Sequence, residues 1–190
     1  MMLFADQIFV RADSREAVEE ALRTLLRRQA YELDESVLPL LKRHQILARR
    51  EVRHFYVGSP VGEWICILES WDGDEMLAAA LAEYLQTSAL WFSFSSVSEE
   101  FKYAIFERER PVEHHHFRPT APTRKRILAF TGTRKPEPSE VELFAAAEAF
   151  YKARALPWPF YSYEQIDAHP GKDEYFHHLN FKRTAPPNAV

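Results

Sequence analysis

The stretch EWICILES, residues 63–70, is apolar on both of its alternating faces, with Trp64, Cys66 and Leu68 on one and Ile65 and Ile67 on the other. Side chains alternate across a strand, so a strand with one wet face shows a polar residue at every second position. This stretch does not. It predicts a strand in the middle of its sheet, covered on both sides. A chain folded around it has to supply two layers of cover.

The surrounding sequence supplies the sheet. EVRHFYV, about 51–57, reads as a strand, and Gly58, Pro60 and Gly62 mark the turn that pairs it with 63–70 as a hairpin. LFADQIFVR, about 3–11, carries Phe4, Ile8 and Val10 on one face. ALWFSFSSV (89–97) and FKYAIFERE (101–109) alternate through Leu90, Phe92 and Phe94 and through Phe101, Tyr103 and Ile105. Their short link predicts a second hairpin.

Two amphipathic helices fall between these strands. Ser14 offers an N-cap and Glu16 suits a first turn, after which Val18, Ala21, Leu22, Leu25 and Leu26 recur at helical spacing over about 15–29. In WDGDEM, Asp72-Gly73 signals a turn and Asp72 or Asp74 can cap a second helix. Leu77, Leu81, Tyr84 and Leu85 define that helix over about 74–86.

The order β-α-β-β-α-β-β over residues 1–110 implies an α+β fold. The expected form is an antiparallel sheet with both helices on one face, the split βαβ or ferredoxin-like order. Residues 34–50 suggest a short further helix. Residues 111–126, rich in proline, histidine and arginine, read as an extended connector. The segment 127–183 reads as a strand–helix–strand extension of a single domain spanning 1–190. ILAFTG (127–132) is a strand, Ser139 and Glu142 form a capping box for a helix over about 140–154, and DEYFHHLNFKR (173–183) closes the extension. Tyr175, His177, Leu179 and Phe181 share one face of that last strand.

Charge and composition narrow the function. The chain has 24 Lys+Arg against 28 Asp+Glu, a net charge of -4, which gives no basic surface for nucleic acid or an anionic membrane. No phosphate-cradling glycine loop, no G-x-S-x-G elbow and no RNA-binding aromatic run occurs in the sequence. The one cysteine, Cys66, cannot form an internal disulfide, and its apolar strand neighbours imply an inert thiol. The early charges Asp6 and Arg11, and the lack of an apolar run near ~20 residues, lead us to expect a soluble cytoplasmic protein with no membrane partner.

The unusual motif is PVEHHHFRP, residues 111–119. In an extended chain His114 and His116 point one way and Glu113 and His115 the other. Two imidazoles at i, i+2 suit zinc or a related divalent ion if a third ligand comes from elsewhere. His178 is the leading choice, with Glu174, His54 and His169 as further options. Against a metal stands the plain reading of a solvated connector, and His177 reads as a hydrogen-bonded core residue. Two aromatic clusters suit a protein partner instead: Trp71 beside Asp72 and Asp74, an acidic rim for a basic partner, and Trp158 with Tyr161 in LPWPFYSYEQI. The sequence therefore points first to a non-enzymatic, bacterial-type interaction protein without a cofactor, an inhibitor, immunity or regulatory partner of another protein. The alternative is a metal-dependent enzyme or metal-binding protein built on His114, His116 and His178.

Overall fold

A computed structural model describes residues 4–34, 52–70, 75–96, 98–117, 138–157, 163–169 and 171–184. EWICILES forms strand β4 (Trp64–Glu69), every residue of which is buried. The other strands are β1 (Phe4–Arg11), β2 (Tyr31–Leu33), β3 (Val52–Gly58), β5 (Ser88–Ser95), β6 (Glu100–Glu107), β7 (Arg110–Phe117) and β8 (Phe176–Arg183). The helices are α1 (Arg15–Arg28), α2 (Glu75–Leu85), α3 (Pro138–Ala153) and the short α4 (Tyr163–Asp167). All eight strands join one antiparallel sheet in the order β2-β8-β3-β4-β1-β5-β6-β7.

Each face of the sheet has its own apolar core. On the first, Ile8 and Val10 of β1 and Ile65 and Ile67 of β4 meet Val18, Leu22 and Leu26 of α1 and Leu77, Ala78 and Leu81 of α2. Ser14 starts α1 by accepting a hydrogen bond from the Ala17 N–H at 3.2 Å. Ala30, at φ 62°, turns the chain out of the helix into β2. On the second face, Phe9, Trp64, Leu68, Leu90, Phe92 and Phe101 meet Leu143, Ala147, Phe150 and Tyr151 of α3. The Phe92 ring stacks on Phe101 at 5.6 Å and on Phe150 at 5.4 Å, and meets the Tyr151 ring edge-on at 5.0 Å. Burying each such ring stabilises the fold by roughly 1.5–3 kcal/mol.

Buried polar groups fix how the layers sit. The Tyr151 hydroxyl donates to Gln7 Oε1, and Gln7 Nε2 in turn donates to the Cys66 sulfur at 3.7 Å, so α3 is hydrogen-bonded to β1 and β4 through the core. On the opposite face Arg53 Nε meets Glu69 Oε1 at 2.6 Å, and Arg53 Nη1 donates to Gln29 Oε1 at 3.0 Å. Both partners of that ion pair are buried, so removing either strands a charge in the interior.

The observed sheet is larger than the sequence implied. Residues 110–117 are not the start of a connector; they form β7, paired along β6. The remainder of that tract, the expected strand at 127–132 and the expected helix within 34–50 lie outside the described residues. Strand β8 is not appended to a finished core either, because it lies inside the sheet between β2 and β3. Its partner β2, three residues long, was not anticipated at all.

Because α3 packs on the sheet through this stack, Phe92 and Phe150 are energetically coupled. A double-mutant cycle with Phe92→Ala and Phe150→Ala, read by chemical denaturation, should give an interaction of about 0.5–1.5 kcal/mol. A coupling indistinguishable from zero would mean that the helix does not dock there.

Candidate functional site

The histidine tract lies on an outer strand. β6 and β7 are joined by a two-residue hairpin, Arg108-Glu109, with Arg108 at φ 55° as such tight turns require. The register slips between Ile105 and Phe106, so that Val112 is an extra residue, a β-bulge. Beyond the bulge, Glu113 to Phe117 pair regularly with Ile105 to Phe101. Residues Arg110 to His116 are all exposed.

Alternation sorts these side chains. His114 and His116 lie opposite Ala104 and Lys102 on the face that α2 covers. His116 Nε2 is 2.6 Å from Glu100 Oε2, and His114 Nε2 is 3.8 Å from Glu75 Oε1. The second contact is open to water and contributes little. On the other face Glu113 accepts hydrogen bonds from the Tyr103 hydroxyl and from Arg154 Nη2 at 2.9 and 3.1 Å. The Arg154 guanidinium lies 4.2 Å from the Phe150 ring centre and 4.9 Å from that of Tyr103. The Tyr103 hydrogen bond holds the Glu113 carboxyl below its ordinary pKa, aided by Arg154 and by nearby His115, while partial burial opposes the shift. Burial, and then the same hydrogen bond, push the Tyr103 phenol up.

His178 does not join His114 and His116. It sits on β8, and β3, β4, β1, β5 and β6 lie between β8 and β7. Six strand spacings put the two sites about 29 Å apart along the sheet. One ion cannot bind all three imidazoles, and the ligand set drawn from sequence is corrected on that ground. The other third-ligand choices, His54 on β3 and His169 and Glu174 in the segments leading into β8, share the distant end. Among the described residues no group of three or more His, Cys, Asp or Glu side chains within one chain is placed to hold a metal.

His178 belongs instead to a polar and aromatic cluster that the sequence reading missed. Its ring stacks on Tyr56 at 4.6 Å and on His54 at 5.5 Å. His54 Nδ1 shares a hydrogen bond with Asn180 Oδ1, and the His54 N–H donates to Ser70 Oγ at 3.1 Å. The Tyr56 hydroxyl donates to Asp167, and Lys172 Nζ donates to the Asp167 carbonyl at 2.5 Å while lying 5.7 Å from the Tyr56 ring centre. These contacts fasten the segment around α4 to the sheet. The signal was present in EVRHFYV, where His54 and Tyr56 alternate against Phe55 and Val57. His177, read as a core histidine, is hydrogen-bonded to Glu19 at 2.6 Å, but half of its side chain is exposed.

The remaining candidates divide plainly. Burial pushes the Cys66 thiol up to about 12, which removes it as a nucleophile. Trp71, Asp72, Asp74, Trp158 and Tyr161 lie outside the described residues. No described helix is long and apolar enough to cross a membrane. A cavity of about 290 Å³, lined by Arg23, Arg27, Tyr31, Glu32, Leu33 and Phe181, opens beside β2 at the other end of the sheet. No protein family, curated protein or solved structure matches this chain.

The Glu113 contacts make a pH-dependent contribution of known sign. A carboxyl ionising below its ordinary value stabilises the fold fully above the unfolded pKa, and that stability is lost as pH falls through the folded one. The difference in melting temperature between wild type and Glu113→Gln should therefore be level from neutral pH to about 5 and shrink on acidification below about 4. A difference that grows with acidification would contradict this.

Proposed function

We propose that this chain is a non-enzymatic interaction protein, an inhibitor, immunity or regulatory partner, which takes an extended segment of another protein chain onto the outer side of β7. The observation that carries this reading is β7 itself, an eight-residue strand at the end of the sheet with its side chains exposed from Arg110 to His116. Among the described residues it pairs on one side only. An outer strand directs alternate N–H and C=O groups away from its sheet, and an added strand satisfies them. Pro111 and the bulge at Val112 interrupt that edge and confine regular pairing to Glu113–Phe117. Such a short docking strand favours a specific partner over indiscriminate sheet growth.

Side chains on either face would set the choice of partner. Glu113 is held in place by Tyr103 and Arg154 on one face, and His114 and His116 project on the other. The proposed anchors Trp71, Asp72 and Asp74 immediately precede Glu75 in sequence, and the Glu75 carboxylate lies 3.8 Å from His114. Trp158 and Tyr161 are kept as a second proposed anchor pair.

The scaffold behind this edge we assign to the ferredoxin-like, split βαβ class. Support comes from the unit β1-α1-β3-β4-α2-β5, whose strands lie in the order β3-β4-β1-β5 and whose two helices share one apolar cluster. Strands β6 and β7 extend it on one side, and β8 and β2 on the other.

Proline scanning tests the edge. Alternate residues of β7 direct their N–H groups outward, so one of His114→Pro and His115→Pro removes an outward donor and spares the ladder with β6. The variant that melts like wild type should lose the dominant protein captured from native lysate by the wild-type chain. Undiminished capture by both variants would sink the strand-docking reading.

A further inference from the structure

Among the described residues the histidine run completes no three-ligand group within one chain, and the edge geometry supplies one between two chains. We propose that β7 pairs antiparallel with β7 of a second copy about a two-fold axis through His115, and that the paired edge binds zinc-class divalent ions between His114 of one copy and His116 of the other. The proposal rests on the reading of β7 as a docking strand and adds a second copy, with its metal, as an occupant of that edge.

The strand itself sets the axis. The bulge at Val112 ends the regular ladder, which leaves Glu113 to Phe117, and the middle of those five residues is His115. In a two-fold antiparallel pair, opposed residues lie equally far from the axis and their side chains share a face. An axis through His115 therefore sets His114 against His116 of the second copy, twice, and Glu113 against Phe117. An axis through Glu113 would oppose two carboxylates, which is repulsive. An axis through His114 would run the pairing into the bulge on both sides, with only three regular residues in the ladder.

The same axis brings metal ligands within reach. Side chains directly opposed across an antiparallel pair have Cβ atoms about 4.5–5.5 Å apart, whereas His114 and His116 in one strand are separated by two residues, about 6.8 Å. The cross-strand pair is the closer of the two. Each pair also has a carboxylate beside it, since Glu100 already lies 2.6 Å from His116 Nε2 on this face. Two imidazoles and one carboxylate from two chains form a ligand set that zinc favours, with Glu75 near His114 as a further oxygen. The site is incomplete in one copy, in keeping with the lack of any three-ligand group within the described residues of a single chain. The regular ladder is only five residues long, Glu113 to Phe117, so the ion is what holds the copies together, at one per chain.

Sedimentation velocity on the untagged full chain, in chelator and in added zinc chloride, tests this directly. The chain should be monomeric in chelator and dimeric with one equivalent of zinc, while His114→Ala and His116→Ala should each stay monomeric with zinc and keep the wild-type circular dichroism spectrum. Mixing those two variants recreates one intact His116–His114 pair, and a zinc-dependent heterodimer should reappear, weaker than wild type. Zinc binding without dimerisation, a dimer indifferent to chelator and to both alanine variants, or no recovery on mixing would each overturn the proposal. If zinc has no effect while an edge proline still abolishes capture of another protein, the docking reading stands and this inference alone falls. If the proline variants are also silent, both fall.

Discussion

Strand β4 of this protein is apolar on both faces, its neighbour β1 is buried on both, and the rest of the architecture answers to that. A sheet of this kind cannot leave either side to water. The helices α1 and α2 lie close to their strands in sequence and cover one face. Among the described residues, nothing in the first 117 covers the other. Helix α3 does so, and its aromatic residues Phe150 and Tyr151 meet a bank of rings on β1, β5 and β6. The C-terminal part of the chain thus supplies cover for strands near its start.

Polar groups are placed where they discriminate between packings. A sheet face of Phe, Leu and Trp can slide under a helix with little change in buried area. The Tyr151–Gln7–Cys66 chain of hydrogen bonds is satisfied in one alignment only. The buried Arg53–Glu69 pair plays the same part between β3 and β4 on the opposite face, with Gln29 at the end of α1 as its third member. Near β8, the stack of His54, His178 and Tyr56 and the Tyr56–Asp167–Lys172 contacts tie a late segment to an early strand. These networks add less to stability than the apolar cores do, but they specify the arrangement.

Local pattern revealed much of this, and non-local pairing did not. The two-faced apolarity of 63–70 was enough to place β4 inside the sheet, and helical spacing located α1 and α2 to within a residue or two. One hairpin was visible in its turn residues and the other in its short link. The position of β8 was not, because insertion between β2 and β3 depends on partners 118 to 152 residues away, which no local window reports. Strand β7 was hidden by its own chemistry. Pro111 and three histidines lack the apolar alternation of a half-buried strand, because an outer strand with exposed side chains has little reason to carry it. The grouping of His178 with His114 and His116 failed for the same cause: composition gives ligand types, and only topology gives distances.

The proposed function depends on the contrast between a centre buried on both faces and an outer strand that, among the described residues, pairs on one side only. Residue-resolved hydrogen exchange on the full chain in chelator measures that contrast most directly. Amides of β1 and β4 should exchange only through global unfolding, and alternate amides between Glu113 and Phe117 should exchange orders of magnitude faster. Protection along β7 as complete as that along β6, or opening of β1 and β4 ahead of global unfolding, would contradict it.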